Sequence, residues 1–131
     1  GMFAGKRYRR MLAVIETCNS GVMGAPYSTS AEGLPEGFCR IDDASLGMLL
    51  LTGARADESS YATNHDPATD IWRADRFSWE FLQSTYADPS MPLGSLYSAL
   101  YSKVPLSHVS VYNYCNFGDV QKIGLDEFTG P

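Results

Sequence analysis

The chain has 131 residues, 44% of them apolar and 12% aromatic, with a net charge of −5. This is the composition of a folded globular domain with a real core, and it excludes a disordered tract. An acidic chain lacks the broad basic footprint that phosphate backbones demand, so nucleic acid is not an expected partner, and no apolar run approaches the roughly 20 residues that span a bilayer.

Residues 1–131 read as one domain at most, with Gly1 as the scar of a cleaved expression tag ahead of Met2. The cluster Lys6-Arg7-Tyr8-Arg9-Arg10 has two readings, a contact with nucleic acid or lipid headgroups and a solvated lead-in to a buried strand. The acidity of the remainder supports the second. The first strand is expected over Arg10–Glu16, because Met11-Leu12-Ala13-Val14-Ile15 is a short apolar run that ends abruptly in polar residues. In open α/β sheets ligand and catalytic groups lie just past the carboxyl ends of such strands, and Glu16 and Cys18 are delivered there. Cys18 is a candidate nucleophile, with Ser20-Gly21 letting backbone N–H groups approach a substrate. The competing reading is a buried free cysteine. A short helix is expected after Ser20-Gly21, with its N-terminus facing the thiol and its dipole lowering the Cys18 pKa.

Gly24 to Gly37, rich in Gly, Pro and Ser without apolar periodicity, reads as a long surface loop. Three cysteines make no disulfide framework, and Cys39 and Cys115 read as unpaired and structural. No His/Cys grouping has metal-ligand spacing, so neither metal nor other cofactor is expected. A second buried strand is expected over Gly47–Thr52, followed by the polar segment Arg55 to Ala62 and by His65 on a loop. Two helices follow. The first, Asp75–Tyr86, carries Trp79, Leu82 and Tyr86 on one stripe and Phe77 and Phe81 on another, as if packed on two sides. The second, Pro92–Val104, repeats Leu93, Leu96, Leu100 and Val104 at helical spacing and ends at Pro105. A third strand over His108–Tyr114 completes an α/β layered domain with parallel strands flanked by helices.

Four segments taken together carry a resemblance: Glu16-Thr17-Cys18-Asn19-Ser20-Gly21, Glu58-Ser59-Ser60-Tyr61, Asp75-Arg76-Phe77-Ser78 and Ser107-His108-Val109. In order and spacing they resemble the legumain-type cysteine peptidases, peptidase family C13 of the caspase-like clan, which includes the catalytic subunit of the GPI-anchor transamidase. The resemblance covers roughly residues 8–115. It implies a caspase-like layered fold with a mostly parallel sheet. The family's His-Gly pair, whose His is the general base, stands on the strand before the cysteine strand, and no histidine precedes Cys18 here. The chain therefore reads as the carboxyl-terminal part of a catalytic domain, with the amino-terminal strands and the His-bearing strand missing.

Thiol acyl transfer needs a nucleophile, a base and N–H donors at the developing oxyanion. Cys18 supplies the first, and the resemblance makes its own backbone N–H an oxyanion donor. If the third strand is parallel to the first, His108 lies at the opposite pole and is excluded as base, while His65 shares a pole with Cys18 and is either a substitute base or an exposed loop histidine. The resemblance further implies a pocket for Asn, or Asp, before the scissile bond, lined by Glu16, Ser59, Ser60 and Asp75. Carboxylates and hydroxyls suit the amide of Asn. Asp75 reads equally as a helix N-cap, and Ser59 and Ser60 as turn residues. Val22 stands where the family commonly has serine.

The expected activity is that of a cysteine endopeptidase or, with an amine acceptor, a transamidase. The alternatives are a non-catalytic homologue acting as an oligomeric interaction module and an unrelated α/β domain with a structural Cys18. Expected partners are a peptide or protein substrate and either the missing amino-terminal half or another copy of the chain, since an uncovered strand edge favours a homo-oligomer.

Overall fold

Two parallel strands set the frame of the site. β1 (Met11–Ile15) pairs with β2 (Met48–Thr52) in a register that puts Met11 opposite Met48 and Ile15 opposite Thr52. The computed structural model describes residues 8–27 and 47–130. Past Tyr27 the expected Gly24–Gly37 loop lies outside the described residues, as do Gly1, Cys39 and the side chain of Cys115.

β2 is buried along its whole length because it carries apolar side chains towards both faces of the sheet. On one face Leu49 and Leu51 join the main core, with Phe77, Leu96, Leu100, Val109 and Leu125. On the other, Met48 and Leu50 pack with Tyr112 beneath the partly buried Tyr8, Met11 and Ile15. A continuous apolar run, without alternation, is what two covered faces require.

After β2 the chain forms a hairpin that the sequence reading did not anticipate. β3 (Ala62–Asp66) and β4 (Ile71–Asp75) pair antiparallel as a separate two-stranded sheet. Its sequence is too polar for an apolar alternation, so the period-2 signal is missing. The turn residues were the available signal: the Asp66 carboxylate accepts the Ala68 N–H at 3.0 Å, and Asp70 takes a left-handed φ of 54°. His65 thus sits on a strand and not on a loop.

α1 (Arg76–Ala87) and α2 (Leu93–Lys103) follow close to their expected limits. Leu93, Leu96 and Leu100 of α2 are buried, as their spacing requires. α1 departs from its two-sided reading: Phe77 is buried and Phe81 packs on the core, but Trp79, Leu82 and Tyr86 are exposed. Its inward face is completed by Glu80 and Ser84, with Glu80 paired to Arg76 at 2.9 Å.

The third strand of the main sheet, β5 (Ser110–Tyr112), corrects the expected parallel arrangement. It runs antiparallel to β2, with Thr52 opposite Ser110 and Leu50 opposite Tyr112, and the order is β1-β2-β5. The reason lies in the connection. One crossover helix returns a chain to the pole where the strand began, giving a parallel strand. Here two helices run in succession, and Arg76 Nε at the start of α1 donates to the Lys103 carbonyl at the end of α2, 3.2 Å away. The pair is an up-and-down excursion that brings the chain back to the carboxyl pole. The architecture is therefore mixed α/β with one parallel and one antiparallel pairing in the main sheet.

The carboxyl-terminal segment closes the core with Phe117, Ile123 and Leu125, and ends in the short α3 (Asp126–Thr129). Among the described residues no helix is long and apolar enough to cross a membrane.

Candidate active site

Immediately after β1 the chain turns through Glu16–Asn19 and enters a 3-10 helix, Ser20–Tyr27. Asn19 makes the turn in the left-handed region at φ 59°, a conformation asparagine tolerates better than most residues. The thiol of Cys18 is exposed, so the reading as a buried cysteine is corrected.

A second loop, residues 53–61 after β2, wraps against this turn and is stitched to it from both sides. The Asn19 backbone N–H donates to the Glu58 carbonyl at 2.8 Å, and Asn19 Nδ2 donates to the Ala56 carbonyl at 2.9 Å. The buried Ser20 hydroxyl donates to the Ala54 carbonyl at 3.1 Å and accepts the Ala54 N–H at 3.0 Å. Gly21 makes this approach possible, since a Cβ there would stand 2.6 Å from the Ala56 nitrogen. The glycine of the Ser-Gly pair therefore serves the contact between the two loops, a role different from the backbone access to substrate expected of it. Gly24 has a similar duty: a Cβ there would come within 2.4 Å of the Tyr112 ring.

The stitching places Ser60 against the thiol. The Ser60 N–H donates to Cys18 Sγ at 3.4 Å, and the Ser60 hydroxyl lies 3.7 Å from the sulfur. These contacts hold the thiol below its ordinary pKa: the Ser60 N–H contributes most, then the Ser60 hydroxyl, with a smaller contribution from the Ser59 hydroxyl. A donor to sulfur favours the thiolate. Donors on a neighbouring loop, which no sequence pattern gave reason to expect there, thus lower the thiol pKa.

Ser60 also reaches the carboxylates. Its hydroxyl donates to Asp75 Oδ2 at 3.5 Å. Asp75 occupies the N-cap position of α1, yet its side chain caps nothing. The cap comes from another element: Glu16 Oε2 accepts the Ser78 backbone N–H at 3.0 Å and lies 3.4 Å from the Ser78 hydroxyl. Glu16 Oε1 is buried and has no hydrogen-bond partner among the described residues. Burial pushes the Glu16 carboxyl above its ordinary value, and the Asp75 charge adds to the rise that the Ser78 N–H opposes. Cys18, Ser59, Ser60, Asp75 and Glu16 therefore form one cluster. Ser78 belongs to it as well; its place as the third residue of α1 marked it as a holder of an unsatisfied helix N–H.

Neither histidine of the sequence hydrogen-bonds the thiol. His65 Nε2 contacts Asp70 Oδ1 at 2.8 Å, and its ring lies 4.8 Å from that of Trp72 within the hairpin. The antiparallel course of β5 puts His108 at the carboxyl pole, the same pole as Cys18, which overturns the placement on which its exclusion rested. There Nδ1 of His108 lies 2.8 Å from Glu58 Oε2.

Comparison with known proteins bears on the family. The profile of the Peptidase C13 family matches residues 1–124. The chain is similar to a hemoglobinase of Schistosoma japonicum, 28% identical over 128 residues, which is 95% of this chain and 26% of that protein. It spans about a quarter of the length of that relative.

Proposed function

Because the chain belongs to the peptidase C13 family, we propose that it carries the nucleophile and part of the specificity pocket of a legumain-type cysteine endopeptidase. One observation carries the reading: an exposed thiol held below its ordinary pKa by the Ser60 N–H, beside a buried Glu16 oxygen that has no geometric hydrogen-bond partner among the described residues. In the proposed reaction the Cys18 thiolate attacks the carbonyl carbon of the scissile peptide bond. The tetrahedral oxyanion collapses to a thioester as the amine leaves with a proton, and water or another amine then releases the acyl group. The base is a histidine outside this set of contacts, contributed by a preceding segment as the family resemblance implies.

Glu16 Oε1 would accept from the amide NH₂ of an Asn side chain, with Ser59, Ser60 and Asp75 completing the polar lining. When protonated, the same carboxyl would donate to an Asp side chain. The reading of residues 1–131 as part of a larger catalytic unit belongs to this proposal.

The test is covalent. A thiol-directed inhibitor built on Asn should label Cys18, as located by peptide mapping, and should label it faster than the same warhead built on Lys. Cys18→Ala should abolish the adduct. The chain alone should turn over Asn-containing peptides very slowly, because losing one member of a nucleophile–base unit costs on the order of 10⁴-fold in rate. Equal labelling by the Asn and Lys probes would sink the pocket, and preferential labelling of Cys39 or Cys115 would sink the nucleophile.

A further inference from the structure

The loop that carries Ser60 ends its own hydrogen bonding on one side chain, Glu58. Its Oε1 accepts the Arg55 N–H at 2.8 Å, three residues back along the loop. The same oxygen accepts the backbone N–H of His108, just ahead of β5, and Oε2 meets the His108 ring at Nδ1. Next to this pair the Ser107 hydroxyl donates to the Gly53 carbonyl at 2.7 Å. The Glu58 carbonyl, in turn, accepts from Asn19, the residue after the thiol. Glu58 thus joins three segments: the Cys18 turn by its backbone, its own loop by one oxygen, and the entry to β5 by both oxygens.

We propose that Glu58 and His108 are positioning residues for the nucleophile, forming a carboxylate–imidazole brace that fixes residues 53–61 so that the Ser60 N–H stays on the Cys18 sulfur. On the near side of Ser60, the Ser20 side chain grips the loop at Ala54 and the Asn19 side chain at Ala56, whereas Glu58 lies two residues from the donor. On the far side the Arg76 N–H holds the Tyr61 carbonyl at 2.8 Å and Asp75 accepts the Ser60 hydroxyl, so the brace completes the clamp from the opposite direction. A hydrogen bond to sulfur loses strength steeply with misalignment, so a small displacement of this loop matters to the thiol. The brace is also suited to be permanent. Although burial alone would raise the Glu58 carboxyl, the His108 ring and the two backbone N–H groups outweigh it and hold the group below its ordinary value. It therefore stays ionised through the neutral range, as a fixed acceptor.

The inference rests on the reading of Cys18 as nucleophile, but its readout is thiol acidity and not turnover. Failure of the Asn-based inhibitor to label Cys18 selectively would count against that reading and leave the brace standing. The experiment follows iodoacetamide alkylation of the full chain across pH, with each cysteine quantified by peptide-resolved mass spectrometry. Glu58→Ala and His108→Ala should shift the Cys18 profile to higher pH. Labelling at neutral pH should slow roughly five- to tenfold, the size expected from losing one ordinary hydrogen bond. Labelling of Cys39 and Cys115 serves as the internal reference. Glu58→Gln keeps the carbonyl that accepts both backbone N–H groups, and His108→Asn keeps a donor where Nδ1 stands; both should recover most of the parental profile. Should Glu58→Ala fail to fold, His108→Ala decides, since it leaves the carboxylate and both backbone bonds in place. An unchanged Cys18 profile in folded His108→Ala overturns the proposal. So does a shift that His108→Asn leaves unrepaired, and so does loss of folding in His108→Ala, which would assign the pair to the fold alone.

Discussion

A single backbone N–H, that of Ser60, contributes most to the acidity of the thiol, and the carboxylates around it divide their work unequally. Glu16 gives one oxygen to the start of α1, while the other has no hydrogen-bond partner among the described residues. Its carboxyl is held above its ordinary value chiefly by burial, so the native protein binds this proton more readily than the unfolded chain does. Stability from such a group is greatest when it is protonated and falls as pH rises from the ordinary Glu range through the raised folded value. Glu16→Gln keeps an acceptor for Ser78 and cannot ionise. Its melting temperature should exceed the parent's at about pH 8, with the gap closing towards about pH 4. A lower melting temperature at the alkaline end would show that the charge itself is needed by α1. At this scale the grouping of Cys18, Glu16, Ser59, Ser60 and Asp75 proposed as the site was readable because short segments carry them in a recognisable order, and the structure brings them near one another. The pairing of Glu58 with His108 was not, because it depends on the direction of a strand that no local pattern records.

Among elements, local apolar patterns located both helices, β1 and β2 well, since such patterns are a local property and the core rewards them directly. However, β1 is partly exposed where its apolar run reads as buried, and only β2 is buried throughout. β3 and β4 escaped because a polar hairpin supplies no such period. The direction of β5 escaped because it follows from how many helices precede it, a count the sequence contained but the strand pattern did not express. The 3-10 helix after Cys18 depends on something equally invisible locally, the flat back that Gly21 and Gly24 present to Ala56 and Tyr112. Gly24→Ala would force a methyl group into the Tyr112 ring. Overpacking of this kind costs about 1–3 kcal/mol, which should lower the melting temperature by several degrees in thermal denaturation followed by circular dichroism. An unaffected melt would mean that Tyr112 moves aside without cost.

For the molecule as a whole, the order β1-β2-β5 leaves β1 at one edge of the main sheet, and among the described residues no strand pairs with its outer side. Val14 is 38% exposed there. An apolar edge with unpaired backbone groups is a route to association. We expect the chain to sediment as a dimer or larger species at micromolar concentration, and Val14→Lys to shift it towards monomer. A monomeric parent would show that this edge is covered from within the chain.

The way the two loops are sewn together has a last consequence, for what the thiol reports. Its environment is maintained by bonds between residues 37, 42 and 50 positions apart in the chain, and its neighbour Glu16 by one spanning 62. Contacts of such separation survive only while the whole tertiary arrangement does, and they come late in assembly because chain closure must precede them. The chemical temper of one exposed sulfur is therefore a gauge of global order: a molecule whose sheet and helices have formed but whose loops have not yet met would present Cys18 as an ordinary, sluggish thiol.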